Sequence, residues 1–360
     1  MTHNNTIIFR FAVNNDSGLG HFFRCLNTAR KLIANYNITF IIDNKSDISL
    51  VKKNKFMPYS IIQLPELNSI SEEHSYLKKI IKEYNIKWFV TDICTNNVLH
   101  TDKDYLNRYH TSLKNSFDIK IISFEDFRIN LFSSDCAVVW NAKDTHQNNH
   151  RAHNALYGLK YFICSPEMTK LSKVERTINK NGKRLLIFIS GSCNNNPTQT
   201  LLEYFIEKIP NGIYIRIICS KSNYGARWEH IKELCESKEM YFELFDINDQ
   251  ICDHLIWADL AIVGEGLIKY EAAILGTPAI QILTTDHRNE ALDDYKNWNC
   301  SIVINSIDKI KIYDCAIDLL NNFRLRKEFL KNGKKNIDGY GFKRIFCDEL
   351  NIIKNEEYGY

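Results

Sequence analysis

The sequence predicts an α/β protein made of two Rossmann-like halves, each a parallel sheet flanked by helices. Short apolar runs rich in β-branched residues alternate with amphipathic segments of helical period along most of the chain, the pattern of βαβ units. The alternation comes as two series, separated by the polar, aperiodic stretch LSKVERTINKNGK at 171–183. A chain of 360 residues is also long for one core, so two domains of ordinary size are expected. The expected limits are 1–170 for the first domain, 183–335 for the second and 336–360 for a tail helix.

The first series opens with TIIFRFAV, a buried strand, which runs through Asn14, Asn15, Asp16, Ser17, Gly18 and Gly20 into a helix starting at His21. In that helix Phe22, Leu26, Ala29 and Ile33 recur at helical spacing, and Arg24 and Cys25 face the core. ITFIID (38–43), YSIIQL (59–64), IKWFVTD (86–92), IKIISFED (119–126) and CAVVWNA (136–142) are the further strands. Helices are expected over 71–85 and around KDYLNRYHTSLKN. The second series begins with KRLLIFISGS and continues through the helix TQTLLEYFIEKI, GIYIRIICS, HIKELCESK, MYFELFD, NDQICDHLIWA, DLAIVGEG, LIKYEAAILG and PAIQILTT. No repeat at a period of about 20–50 residues is visible, which argues against a solenoid.

Composition narrows the function classes. Hydrophobic content of 44% with 25% charged residues is that of a folded globular protein, and a net charge of +3 gives no reason to expect a nucleic-acid partner. The eleven cysteines are scattered and contain no C-x-x-C pair, which argues against a disulfide framework or a zinc site and for reduced core thiols. No leader precedes the first strand, and no apolar run approaches the roughly 18 residues of a membrane helix. A cytoplasmic location without a transmembrane segment is the expectation.

Candidate chemistry lies in loops after strand ends, where open α/β sheets bind ligands. The glycines of the 14–21 loop permit close backbone approach to a ligand, and the following helix start can face an anion, with His21 in reach of the same ligand. A tight turn capped by the histidine is the alternative. Asp92 and Asp126 end strands, where a carboxylate can orient a substrate hydroxyl or cap the next turn. In the second series Ser190, Gly191 and Ser192 offer backbone amides to a diphosphate. Gly264, Gly266 and Leu267 open a helix, and Glu271, one and a half turns in, can accept hydrogen bonds from ribose hydroxyls. His146 and His150 have the i, i+4 spacing of metal ligands, but with His153 they lie in a very polar segment (144–162) without a second ligand cluster, so a solvated or substrate-lining loop is expected. No acidic D-x-D pair lies near the donor loops. The expectation is catalysis without metal or other cofactor, the helix start offsetting diphosphate charge.

FRFAVNNDSGLGHFFRCLNTA resembles the N-terminal signature of the UDP-sugar hydrolases of pseudaminic acid biosynthesis and the related spore-coat polysaccharide proteins. Arg10, Gly18, Gly20, His21, Arg24, Cys25 and Leu26 fall in register with it. The likeness continues through IISFED, DCAVVWNA, YGLKYFICSPEM, ADLAIVGEGLIKYEAAILGTPAI and the tail DGYGFKRI, and so covers nearly the whole chain. The resemblance implies the GT-B architecture, two Rossmann-like domains facing across a cleft, with the nucleotide on the C-terminal domain. It implies that His21 activates water and that Arg10, Asn15, Asp16, Gly20, Asp92 and Asn141 line the sugar side. Neutral imidazole, with an ordinary pKa of about 6.5, suits proton acceptance.

The chain departs from the family pattern at Ala12, where the family has an aspartate that Asp16 could replace, and after Asp92, where a tyrosine is lost. SGSCN at 190–194 replaces a glycine pair, and Asp286-His287-Arg288-Asn289 replaces an asparagine–glutamine pair. Three functions are compatible with these residues. One is hydrolysis of a UDP-linked deoxyamino sugar on the way to a nonulosonic acid. Another is GT-B glycosyl transfer in capsule or lipopolysaccharide assembly, from a UDP-sugar or CMP-nonulosonate donor to an acceptor glycan. The third is a non-catalytic member of the fold.

Overall fold

In the first half, strands covered on both faces are mainly apolar, with a few buried polar residues such as Arg10 and Asp92. A computed structural model describes residues 5–13, 19–52, 59–67, 69–84, 86–93, 105–124, 133–140, 154–189, 197–219, 226–238, 241–246, 251–283 and 297–354. The chain divides into two compact units, Met1–Pro166 with Tyr340–Tyr360, and Glu167–Gly339.

The first unit holds strands β1 (Thr6–Phe11), β2 (Asn37–Ile42), β3 (Ser60–Gln63), β4 (Ile86–Asp92), β5 (Lys120–Phe124), β6 (Cys136–Val139) and β7 (Asn154–Tyr157). Helices α1 (Gly20–Leu32), α2 (Ile48–Lys52), α3 (Ile70–Tyr84) and α4 (Tyr105–Ser116) connect them. The sheet order is β3-β2-β1-β4-β5-β6-β7, with every pairing parallel. Strand order reverses between β1 and β4, and Phe11 pairs with Asp92 there. Such a reversal opens a crevice beyond the carboxyl ends of the two strands. One face of the sheet packs Ile8, Ile41, Phe89 and Ile121 against Leu77 and Ile80 of α3 and Tyr109 and Leu113 of α4.

The second unit, after α5 (Pro166–Ser172), repeats this plan with β8 (Arg184–Phe188), β9 (Tyr214–Cys219), β10 (Phe242–Asp246), β11 (Leu260–Val263), β12 (Ala279–Ile282) and β13 (Ser301–Ile304). Its helices include α6 (Pro197–Lys208), α7 (Ala226–Ser237), α8 (Ile251–Trp257) and α9 (Ile268–Ile274). The order β10-β9-β8-β11-β12-β13 reverses between β8 and β11. Its core joins Leu185, Ile187, Ile217, Ile262 and Ile280 to Leu202, Phe205 and Ile206 of α6.

Two parallel-sheet α/β units of this order are the GT-B fold. The structure adds elements that the sequence pattern did not single out. Asn154–Tyr157 is a strand inside the polar segment expected to be a loop, and Ser301–Ile304 is an edge strand. Helices span Lys309–Asn321 and Phe323–Asn336, so the chain is already helical before the tail. The tail itself forms short helical turns, Gly341–Lys343 and Arg344–Glu349, and packs within the first unit rather than standing apart. Tyr36 Oη donates to the carbonyl of Ile352 at 2.6 Å, and Arg344 Nη1 to that of Lys160 at 2.8 Å. A Cβ on Gly341 would overlap the carbonyl of Phe162, which accounts for the second glycine of DGYG.

The described cysteines are buried, Cys315 partly, and none forms a disulfide. Among the described residues no helix is long and apolar enough to cross a membrane.

Candidate functional site

Helix α1 begins at the carboxyl end of β1, and its first turn carries His21. Strand β4 ends at Asp92, beside the end of β1. The topology therefore brings together two side chains 71 residues apart: His21 Nδ1 lies 2.6 Å from Asp92 Oδ1. One turn along α1, Arg24 donates from Nε to Asp92 Oδ2 at 2.7 Å and from Nη2 to Oδ1. Arg24 and Asp92 are almost fully buried, while the His21 side chain keeps 13% exposure. Cys25 Sγ donates weakly to Asp92 Oδ2 over 3.8 Å, and burial pushes its thiol well up, so it is a packing group and not a nucleophile. Trp140, fully buried, lies under the Arg24 guanidinium with 5.1 Å to the ring centroid.

These contacts assign the tautomer of His21. Its Nδ1 faces a carboxylate oxygen at 2.6 Å and Nη2 of Arg24 at 2.8 Å. Arginine can only donate, and a bare Nδ1 would set its lone pair against the carboxylate. The tautomer that satisfies the carboxylate places the proton on Nδ1, donated to Asp92. The lone pair is then on Nε2. A carboxylate that fixes an imidazole in this way also stabilises the imidazolium formed when Nε2 takes a proton.

Arg10 is placed differently. Its strand position turns it to the α3–α4 face, where Nε and Nη2 bind Glu73 at 2.9 and 3.3 Å and Nη1 binds the Phe11 carbonyl. Tyr109 Oη also donates to Glu73, at 2.7 Å. Arg10 is 4% exposed, so its guanidinium serves a buried network beneath the rim of the sheet. Glu73 is unmarked in the sequence, and Arg24 and Asp92 stand out there only separately, not as a pair. A charged residue at a core-facing helical position, three after His21, was the available signal.

In the second unit, a Cβ on Gly264 would overlap the carbonyl oxygen of Ile189, so this glycine lets the ends of β8 and β11 close together at the strand reversal. A Cβ on Gly266 would meet nothing within 4 Å, leaving space before α9. Leu267 is the N-cap residue of α9, and Glu271 lies in its first turn, nearer the helix start than the spacing suggested. No described side chain bonds to the Glu271 carboxylate. Loss of hydration raises its pKa to about 7. Asn15, Asp16, Gly18, Asp126, Asn141, His146, His150, His153, Ser190, Gly191, Ser192 and the 286–289 segment lie outside the described residues. Gly20 is the first residue of α1.

No protein-family model matches the chain. Two curated proteins are similar at low identity. The spore coat polysaccharide biosynthesis protein SpsG of Bacillus subtilis is 21% identical over 353 residues, 95% of this chain and 96% of SpsG. The uncharacterized protein MJ1062 of Methanocaldococcus jannaschii is 25% identical over 298 residues, 78% of this chain, and the match spans only 56% of that protein's length. Among solved structures, MurG of Acinetobacter baumannii superposes with a TM-score of 0.65 at 11% identity, covering 97% of this chain and 100% of MurG. A glycosyltransferase from Rickettsia africae gives 0.59 at 13% identity, covering 98% and 97%. Anabaena Alr3699/HepE, solved with UDP and glucose, gives 0.57 at 8%, covering 96% and 99%. These likenesses establish the fold.

Proposed function

We propose that this protein is a nucleotide-sugar-dependent glycosyltransferase of surface-polysaccharide assembly, with His21 as its general base. The observation that carries the reading is the 2.6 Å contact between His21 Nδ1 and Asp92 Oδ1 at the strand reversal. In the proposed reaction an acceptor hydroxyl gives its proton to Nε2 of His21 as its oxygen attacks the anomeric carbon. The carbon–oxygen bond to the diphosphate breaks, and the nucleoside diphosphate leaves with that electron pair. Asp92 and Arg24 hold the ring and balance its charge, and the displacement inverts the anomeric centre.

In this reading the second unit binds the nucleotide, with Glu271 accepting from the ribose hydroxyls and the Gly264–Leu267 turn, together with Ser190, Gly191 and Ser192, meeting the diphosphate. The low-identity similarity to SpsG, named for spore-coat polysaccharide biosynthesis, supports polysaccharide assembly as the setting. Arg10 acts by holding β1 in place through Glu73, while Asn15, Asp16, Gly20 and Asn141 are the candidates for sugar contact. The two domains would divide near 170–183, with the tail serving the first.

A second reading has the same dyad activate water, hydrolysing a UDP-linked deoxyamino sugar on the route to a pseudaminic-type acid. It is favoured by the N-terminal register of Gly18, Gly20, His21, Arg24, Cys25 and Leu26 with the hydrolase signature. Incubation with UDP-sugars and CMP-nonulosonates, with and without acceptor glycans, separates the two. Nucleotide release only with acceptor supports transfer, and equal release without acceptor supports hydrolysis. No release with any donor, by folded protein, refutes both.

A further inference from the structure

The first unit carries a second concave feature on the same rim as His21. A pocket of about 400 Å³ lies beyond the carboxyl ends of β2 and β3, lined by Asn44, Gln63, Leu64, Pro65 and Tyr76. Every lining side chain is uncharged, so neither an anion nor a cation would find a counter-charge among them. The lining pairs an aromatic ring and two apolar side chains with two amides. A sugar ring presents in return an apolar C–H face that stacks on an aromatic ring and a rim of hydroxyls that pairs with amides.

The polar wall is built, not incidental. Gln63 Nε2 donates toward three carbonyls of the β2–α2 turn, those of Asp43, Asn44 and Ser46, at 3.3, 3.2 and 2.9 Å. Three acceptors around one end of the amide identify that end as the nitrogen, so Oε1 is the opposite end and only accepts. The same turn is tied to the end of β1: Val13 N donates to Ser46 Oγ at 2.9 Å, and Asp47 N to the Val13 carbonyl at 2.8 Å. Ser46 Oγ in turn donates to Asp43 Oδ1 at 2.9 Å. A chain of hydrogen bonds thus runs from the pocket wall to Val13, at the end of the segment that holds β1. Sheet order puts β3 two strands from β1, roughly 10 Å along the rim at ordinary strand spacing.

We propose that this pocket binds an uncharged saccharide, the part of an acceptor glycan that lies beyond the reacting hydroxyl. The ring of Tyr76 stacks against a sugar face, Gln63 Oε1 accepts from a sugar hydroxyl, and Asn44 completes the polar contacts. The assignment to an acceptor rests on the transfer reading above, while the choice of a neutral sugar rests on the uncharged lining.

Saturation-transfer NMR on the full chain tests it, with cellobiose, maltose and N,N′-diacetylchitobiose as probes and glucuronic acid and glucose 1-phosphate as charged counterparts. At least one neutral disaccharide should bind. Tyr76→Ala should weaken that binding at least tenfold and Asn44→Ala several-fold, with Tyr76→Phe close to native and UDP affinity unchanged in all three. Both altered residues reach the surface, and matching melting curves establish that the variants are folded. Failure of every neutral probe, preference for the charged sugars, or binding indifferent to Tyr76→Ala and Asn44→Ala overturns the pocket assignment. Transferase turnover whose acceptor KM ignores Tyr76→Ala overturns the acceptor role. Disaccharide binding at Tyr76 in a protein that turns over no nucleotide sugar refutes the transfer reading and leaves the sugar site standing.

Discussion

His21 Nδ1 and Asp92 Oδ1 lie 2.6 Å apart because β1 and β4 are neighbours at the strand reversal, although β2, β3 and three helices separate the two strands in sequence. The helix that starts after β1 delivers the imidazole, the end of β4 delivers the carboxylate, and Arg24, one turn on, neutralises it. Three groups on two rigid elements need no induced movement to form a base with a fixed tautomer.

His21→Ala should therefore lower kcat by about 10²–10⁴-fold, the range for loss of a positioned base. Nucleotide affinity and melting temperature should stay near native, since the ring keeps some exposure and Arg24–Asp92 remains paired. Steady-state kinetics with calorimetric titration of UDP checks this. A folded variant with near-native turnover would remove the base from the mechanism.

Asp92→Asn should behave differently. It removes the acceptor that fixes Nδ1–H and leaves the buried Arg24 guanidinium without its counter-charge. Activity should fall by about 10²-fold or more from loss of the tautomer. Stability should fall by about 3–5 kcal/mol, the cost of breaking a buried ion pair on one side. Denaturant melts of both variants make the comparison: equal stability in His21→Ala and Asp92→Asn would contradict the role given to Arg24.

The alternation of strands and helices was legible because strands buried on both faces of parallel sheets read as short runs dominated by Val, Ile and Phe. Asn154–Tyr157 escaped because four residues in a polar setting carry too little period, and α2 has only five. The loop and helix start around His21 were visible locally, as was the carboxylate at Asp92. Their union was not, because pairing of β1 with β4 is a property of sheet order. Arg10 stands out in the sequence only through its register with the family signature, which implies a place on the sugar side. Its partner Glu73, 63 residues on, looked like any first-turn helix glutamate until α3 was seen packed across β1.

That placement makes Arg10 testable as a structural group. Glu73→Gln should destabilise the protein by about 3–5 kcal/mol by leaving buried Arg10 unpaired. Replacing the whole network with apolar groups, as Arg10→Met, Glu73→Met and Tyr109→Phe together, should recover most of that loss. Turnover per folded molecule in the triple variant should be near native. An inactive but folded triple variant would place Arg10 on the substrate after all.

Glu271 gives a pH signature. Its carboxyl titrates near 7 in the folded protein because burial strips its hydration and no described side chain compensates. A folded pKa raised above the unfolded value means that the contribution to stability is fully present below about pH 4.5. It is lost as pH rises to 7, by at most about 3 kcal/mol, since the side chain keeps partial exposure. Ribose hydroxyls donate hydrogen bonds, so a nucleotide binds the ionised carboxylate in preference to the acid. Nucleotide affinity should then rise about tenfold per pH unit below 7 and level off above it. The diphosphate titrates in the same range, but identically for native protein and Glu271→Gln, so the difference between their profiles isolates the carboxylate. The variant should lack that rise and bind more weakly at pH 8 by about 1–3 kcal/mol, the loss for a hydrogen bond to a charged group. It should also melt higher than native in the absence of nucleotide, since a neutral amide does not have to ionise where hydration is reduced. Calorimetric titrations of UDP from pH 5.5 to 8.5, with melts of the free proteins, measure both. Parallel affinity profiles for the two proteins would remove Glu271 from the nucleotide site.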